Sequence, residues 1–173
     1  SIDEHMRNKL DIIEQTANEG IVLVKNNGLL PLGNKASKIT LLGYASANLV
    51  YGGRSGNAQI GNVGIDAINI PFKIALEDAG YSINPSMWNF YKVNNNSESP
   101  VEDLPTADIA EYDDAVIVVV ARNLGEGADG VLGYYDLTAI ELALVAKAKE
   151  ISQNVIVVNN SPSPLSCDEF DKD

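Results

Sequence analysis

A mainly parallel β-sheet flanked by helices is the fold class this sequence predicts, and three observations carry the prediction. Three short apolar runs, Ile39 to Leu42, Ala115 to Ala121 and Val155 to Val158, lie far apart along the chain. Unbroken rather than alternating apolar residues, rich in Val and Ile in the last two runs, mark strands buried on both faces. Helical spacing fills the intervals, near Ile65 to Ala79 and from about Leu137 to Ile151. Strands that alternate with helices require crossover connections and therefore parallel pairing. The expected architecture is a three-layer α/β/α sandwich. It reads as incomplete, because three strands make a small sheet and SPSPLSCDEFDKD follows the last strand without a closing helix.

The elements follow in chain order. Ile2, Met6, Leu10, Ile13 and Ala17 recur every three or four residues, which puts them on one face of an opening helix that Gly20 ends. Ile21 to Val24 then predicts a short extended segment. Asn26-Asn27-Gly28 predicts a turn, and Leu29 to Leu32 an anchored loop. Pro85 to Tyr91 carries Met87, Trp88, Phe90 and Tyr91 and reads as a short helix with its aromatics in the core. Val93 to Pro105, rich in Asn, Ser, Glu and Pro, reads as a solvated loop. In the helix from Leu137, residues Leu137, Ile140, Leu144, Ala148 and Ile151 share a face.

Composition narrows the function. The 173 residues, 45% hydrophobic, amount to one packed domain over residues 1–173. With 24 Asp and Glu against 12 Lys and Arg, the net charge of -12 repels phosphate backbones and anionic lipid. Neither nucleic acid nor a membrane is an expected partner. Cys167 is the single cysteine and His5 the single histidine, which excludes an internal disulfide and a structural zinc site. Neither residue has catalytic neighbours in sequence, so a surface role is expected for His5 and a bystander role for Cys167. The opening SIDEHMRNKL lacks signal-peptide character, so the chain is expected to be intracellular or to have lost a leader.

In an open parallel sheet, ligands bind beyond the carboxyl ends of the strands. Two loops qualify. The first, after strand 39 to 44, holds Gly52, Gly53 and Gly56, which permit tight turning, with Arg54 and Ser55 as hydrogen-bond donors. A structural turn and a sugar contact are both open readings. Phosphate binding is disfavoured, because the glycines begin well after the strand and no G-x-x-x-x-G-K-[ST] occurs. The second loop, after strand 115 to 121, holds Glu126 between Gly125 and Gly127, with Asp129 three residues on. A carboxylate at such an edge is either a general acid/base or part of a solvated acidic loop.

Five segments in order resemble one family. EGIVLVKNNGLLPL at 19–32, KITLLGY, VYGGRSG at 50–56, DDAVIVVVARNLGEGADG at 113–130 and NVIVVNNSPSPL at 154–165 are similar to the α/β sandwich domain of family 3 glycoside hydrolases. These are β-glucosidases, β-xylosidases and related enzymes. The resemblance implies a (β/α)8 barrel elsewhere in the same protein that supplies an aspartate nucleophile, while Glu126 supplies the acid/base. It implies substrate contacts from Arg54, Ser55 and Asp129, a β-linked glucoside or related oligosaccharide as substrate, and no cofactor. Retaining hydrolysis needs two carboxylates roughly 5 to 5.5 Å apart. Nothing in this chain resembles the barrel or its nucleophile motif, so the segment alone is expected to be inactive. Gly130 stands where many relatives carry Arg. The alternative reading is a non-catalytic carbohydrate-binding or interaction module of the same fold; a nucleotide-binding domain is disfavoured by the glycine placement and the acidity.

Overall fold

The computed structural model describes residues 2–50, 70–93, 97–122, 133–161, 163–166 and 168, with the side chains of 2–6 excepted. The chain forms two compact units, 1–33 and 34–173. In the first, helix α1 spans Ile2–Gly20 and ends at the glycine, as its sequence predicts. Gln15 donates to Glu19 (2.8 Å) and the Thr16 hydroxyl to the Ile12 carbonyl (2.7 Å). Leu10 and Ile13, on the apolar face, are 57% and 53% exposed.

Residues 21–26 form no regular strand, and Ile21 to Val24 are exposed. The loop behind them is anchored as expected. Asn26 accepts from the backbone N–H of Gly28 and of Leu30 (both 3.1 Å), and its amide donates to the Leu30 carbonyl (2.8 Å). One side chain thus satisfies backbone groups that a strand partner would otherwise pair.

The second unit holds an all-parallel sheet. Its strands are β1 (Lys38–Leu42), β2 (Ser82–Ile83), β3 (Ala115–Ala121) and β4 (Val155–Asn160), in the spatial order β2-β1-β3-β4. The helices described are α2 (Tyr44–Ala47), α3 (Phe72–Asp78), α4 (Pro85–Val93) and α5 (Ala139–Ile151). The helix expected near 65–79 is described from Phe72, its earlier part lying outside the described residues. Strand β2 carries no apolar run; its pairing of Ile83 with Ile39 defines it.

Both faces of the central strands are covered. Leu42, Val116, Val118 and Val120 pack with Met87 and Tyr91 of α4 and with Leu144, Val145 and Ala148 of α5. Successive strand residues face opposite ways, and on the other face Ile39, Leu41, Ile117 and Val119 are buried too. Met87 and Tyr91 are fully buried, which bears out the core role of the aromatic segment, while Trp88 and Phe90 are half-buried. Strand β4 corrects the expectation of burial on both faces: it is half-buried, with Asn159 exposed, because it pairs with β3 alone among the described strands. The 93–105 segment is also less solvated than its composition predicts, since Ser99 and Leu104 are buried.

Two buried polar side chains of this core, Thr40 and Asn84, are paired with each other and with backbone groups, while the buried hydroxyls of Ser46 and Tyr91 have no hydrogen-bond partner among the described residues. The Thr40 hydroxyl donates to the Tyr112 carbonyl (2.8 Å) and accepts from the Asn84 amide (3.2 Å), and Asn84 accepts from the Met87 N–H at the start of α4 (3.0 Å). Asp114 ties the opposite ends of the strands together. Its carboxylate accepts from the Ser37 N–H (2.8 Å), the Ser37 hydroxyl (2.9 Å) and the Lys38 N–H (2.9 Å), while its carbonyl accepts from the Asn154 amide (2.8 Å). The starts of β1, β3 and β4 therefore meet at one residue.

The backbone N–H groups of Ser37 and Lys38 hold the Asp114 carboxyl below its usual pKa, with the Ser37 hydroxyl adding to the effect. A depressed folded-state pKa means that its contribution is present above the unfolded value, about 3.9, and lost as pH falls through the folded one. Asp114→Asn is expected to lower stability by about 1 kcal/mol at pH 7. Urea unfolding at a series of pH values checks this: the gap between variant and wild type closes as pH drops below the ordinary aspartate range.

Candidate functional site

The carboxyl ends of β1, β3 and β4 form the edge where a parallel sheet binds ligands. At the end of β1 the chain turns at Gly43, with φ 94°. A Cβ on Gly43 would stand 2.4 Å from the carbonyl oxygen of Val119 in β3. Only glycine allows both that conformation and that approach. Beyond it, the Tyr44 N–H donates to Glu98 (2.7 Å), whose other oxygen accepts from the Ser99 N–H (3.2 Å). Burial pushes the Glu98 carboxyl above its usual pKa and the negative charge of Glu141 adds to this, while the two N–H donors oppose both.

From Tyr44 the chain runs to Val50, held at two points. Asn48 donates to the carbonyls of Tyr44 and Tyr91 (both 3.1 Å). Asn160, the last residue of β4, accepts from the Val50 N–H (2.6 Å) and donates to the Val50 carbonyl (3.2 Å). Both backbone groups of the residue that precedes the Gly-rich segment are thereby paired with one side chain.

Arg122 follows β3 directly. Its Nε donates to the Tyr134 carbonyl (3.1 Å), Nη1 to the Ala121 carbonyl (2.9 Å) and to Glu141 Oε1 (2.6 Å), and Nη2 to the Asp136 carbonyl (2.8 Å) and to Glu141 Oε2 (2.8 Å). A guanidinium has five N–H groups, and all five are used. The Arg122 backbone N–H donates to the Ser161 hydroxyl just past β4 (2.7 Å). Glu141 is buried, and burial pushes its pKa up; the hydrogen bond from Arg122 and the N–H of Thr138 outweigh this and hold it below the usual range. The same carboxylate completes the capping box of α5, in which Thr138 accepts from the Glu141 N–H (3.2 Å).

Arg54, Ser55, Glu126 and Asp129 lie outside the described residues, as do Cys167 and the side chain of His5. What the described residues bring together is the stems of the two segments that carry the four. Val50 precedes the first and Arg122 the second, and their partners Asn160 and Ser161 are adjacent at the end of β4. Sequence reasoning missed Arg122, Glu141, Asn160 and Glu98. Two signals were available: Thr138-x-x-Glu141 has capping-box spacing, and Arg122 is a cation at a strand end in a chain of net charge -12. Among the described residues, no group of three or more His, Cys, Asp or Glu could hold a metal ion, and no helix is long and apolar enough to cross a membrane.

Two substitutions test this edge. Gly43→Ala is expected to cost at least about 2 kcal/mol, from strain at positive φ and the clash with Val119, read as a lowered midpoint in chemical denaturation. Glu98 has the opposite pH sign to Asp114. Its raised folded-state pKa means that the native state holds its proton longer, so stability falls as pH rises from the unfolded value of about 4.3 through the folded one. Relative to wild type, Glu98→Gln therefore gains stability as pH climbs through that window; a constant difference from pH 4 to 8 would refute the assignment.

The comparisons bear on most of the chain. The model of the glycosyl hydrolase family 3 C-terminal domain matches residues 21–173. Solved structures of β-glucosidase 3B from Thermotoga neapolitana, one in complex with glucose and one with α-D-glucose, share the fold at TM-score 0.72 and 21% identity. They cover 93% and 92% of this chain, which spans about a quarter of their length (25%). Curated protein sequences yield no match. The four-stranded parallel sheet with its helices is the architecture of that α/β sandwich, and the chain belongs to glycosyl hydrolase family 3 as its C-terminal domain.

Proposed function

We propose that this domain serves a retaining β-glycosidase acting on β-glucosides or related oligosaccharides, and that Glu126 is its acid/base. The observation that carries the reading is the position of Glu126 in sequence. In a family 3 domain, a glutamate flanked by Gly125 and Gly127 follows the carboxyl end of β3 by a few residues in sequence. The nucleophile comes from a (β/α)8 barrel in the same protein, and without it the domain hydrolyses nothing. In the first step the barrel carboxylate attacks the anomeric carbon and the C–O bond breaks, while Glu126 gives its proton to the leaving oxygen. In the second, Glu126 takes a proton from water as that water attacks the anomeric carbon of the glycosyl-enzyme, the bond to the barrel carboxylate breaks, and that carboxylate is regenerated. Arg54, Ser55 and Asp129 contact the sugar.

The test uses the full-length polypeptide that contains this domain. Glu126→Ala is expected to lose roughly 10² to 10⁴ in kcat/KM on alkyl or poorly activated aryl β-glucosides, and far less on 2,4-dinitrophenyl β-glucoside. Azide should restore turnover on the activated substrate and yield glucosyl azide, because azide attacks without losing a proton. Equal losses on both substrates, or no response to azide, would sink the assignment of Glu126. Glucose binding without turnover of any glycoside would favour a non-catalytic carbohydrate-binding module.

A further inference from the structure

The geometry points to Arg122 as the positioning residue for the acid/base segment, with Glu141 as the group that holds Arg122 in place. The inference rests on the reading of Glu126 above and adds to it. Arg122 precedes Glu126 by four residues in sequence, and the carbonyls it grips at Tyr134 and Asp136 follow Glu126 by eight and ten. The two ends of the segment are thus fixed on one planar group. The Glu141 carboxylate meets that group as a two-pronged pair (2.6 and 2.8 Å) and is itself tied to the first turn of α5 by the Thr138 N–H (2.8 Å) and hydroxyl (3.0 Å). The chain of contacts therefore runs from a packed helix, through a rigid ion pair, to the entry and exit of the segment that carries Glu126.

Arg122 is not itself a sugar contact. Its five donors are consumed by protein acceptors, and its side chain is only 12% exposed. Substituting lysine keeps the charge but replaces the fork by a single ammonium with three donors, so the Tyr134, Asp136 and Ala121 carbonyls and both Glu141 oxygens cannot all be held. An acid/base displaced by as little as about 1 Å can cost on the order of 10²-fold in rate.

The experiment compares Arg122→Lys, Glu141→Gln and Glu126→Ala in the full-length polypeptide, on 4-methoxyphenyl and 2,4-dinitrophenyl β-glucosides with and without azide. Asp114→Asn, at the opposite edge of the sheet, serves as the control for loss of stability alone. Arg122→Lys is expected to lose roughly 10- to 100-fold on the poor leaving group, several-fold or less on the activated one, and to be accelerated by azide on the latter. Glu141→Gln should show the same pattern and decides the matter if Arg122→Lys does not fold. Uniform losses on both substrates without azide response, as expected of Asp114→Asn, would overturn the inference while leaving Glu126 in its role if Glu126→Ala still responds to azide. If Glu126→Ala itself shows neither leaving-group dependence nor azide response, the reading of Glu126 fails, and this inference falls with it.

Discussion

Placing a carboxylate inside a protein costs several kcal/mol unless a partner and further hydrogen bonds compensate it. Glu141 is such a carboxylate, and Arg122 is its partner. Their pairing gathers the end of β3, the start of α5 and the 133–136 stretch around one planar contact. The apolar core explains why sheet and helices pack. It does not explain why the end of β3 and the 133–136 stretch meet in one arrangement, since burial of valine and leucine is non-directional. Direction comes from the guanidinium, whose donors are fixed in a plane.

Parallel pairing sorts the polar groups of the sheet by edge. All four strands start at one edge and finish at the other, so each edge collects the same kind of chain terminus. At the starting edge, Asp114 accepts the N–H groups that open β1 and lends its carbonyl to the segment that opens β4. At the finishing edge, Asn160 and Ser161 bind the stems that leave β1 and β3. At the first edge these polar groups are taken up by one another. The second holds two long connections by their bases, an arrangement suited to a rigid scaffold with variable loops.

The strands β1, β3 and β4 are legible in the sequence because each carries a run dominated by aliphatic residues, although only β1 and β3 are buried along most of their length. Ser82–Ile83 is illegible for the converse reason: with two residues, it is a strand only by virtue of Lys38 and Ile39 beside it. Helix α1 and its end at Gly20 could be read from spacing alone. The 97–104 stretch misled, because Glu98 and Ser99 look like solvent residues until the Tyr44 N–H is brought within reach of the carboxylate. Arg122 left a faint signal, a cation at a strand end, but its contacts could not be read. Three of its five acceptors are backbone carbonyls, which any residue type supplies and only the fold aims. The loop residues picked out by composition and family resemblance, Glu126 foremost, are a different category: their chemistry is visible in sequence, and the stems beneath them are visible in the fold.

The double duty of Glu141 restricts how this part of the protein can change over generations. A variant that removes the charge of Arg122 alone strands a buried negative charge, and one that removes the charge of Glu141 alone strands a positive one and weakens the reciprocal half of the α5 capping box. A compensated exchange at both positions still leaves the carbonyls of Ala121, Tyr134 and Asp136 without donors. A third adjustment, in the backbone itself, would have to arrive with the other two. Drift at this junction therefore cannot proceed by single neutral steps, whereas the exposed residues around it are free to vary one at a time.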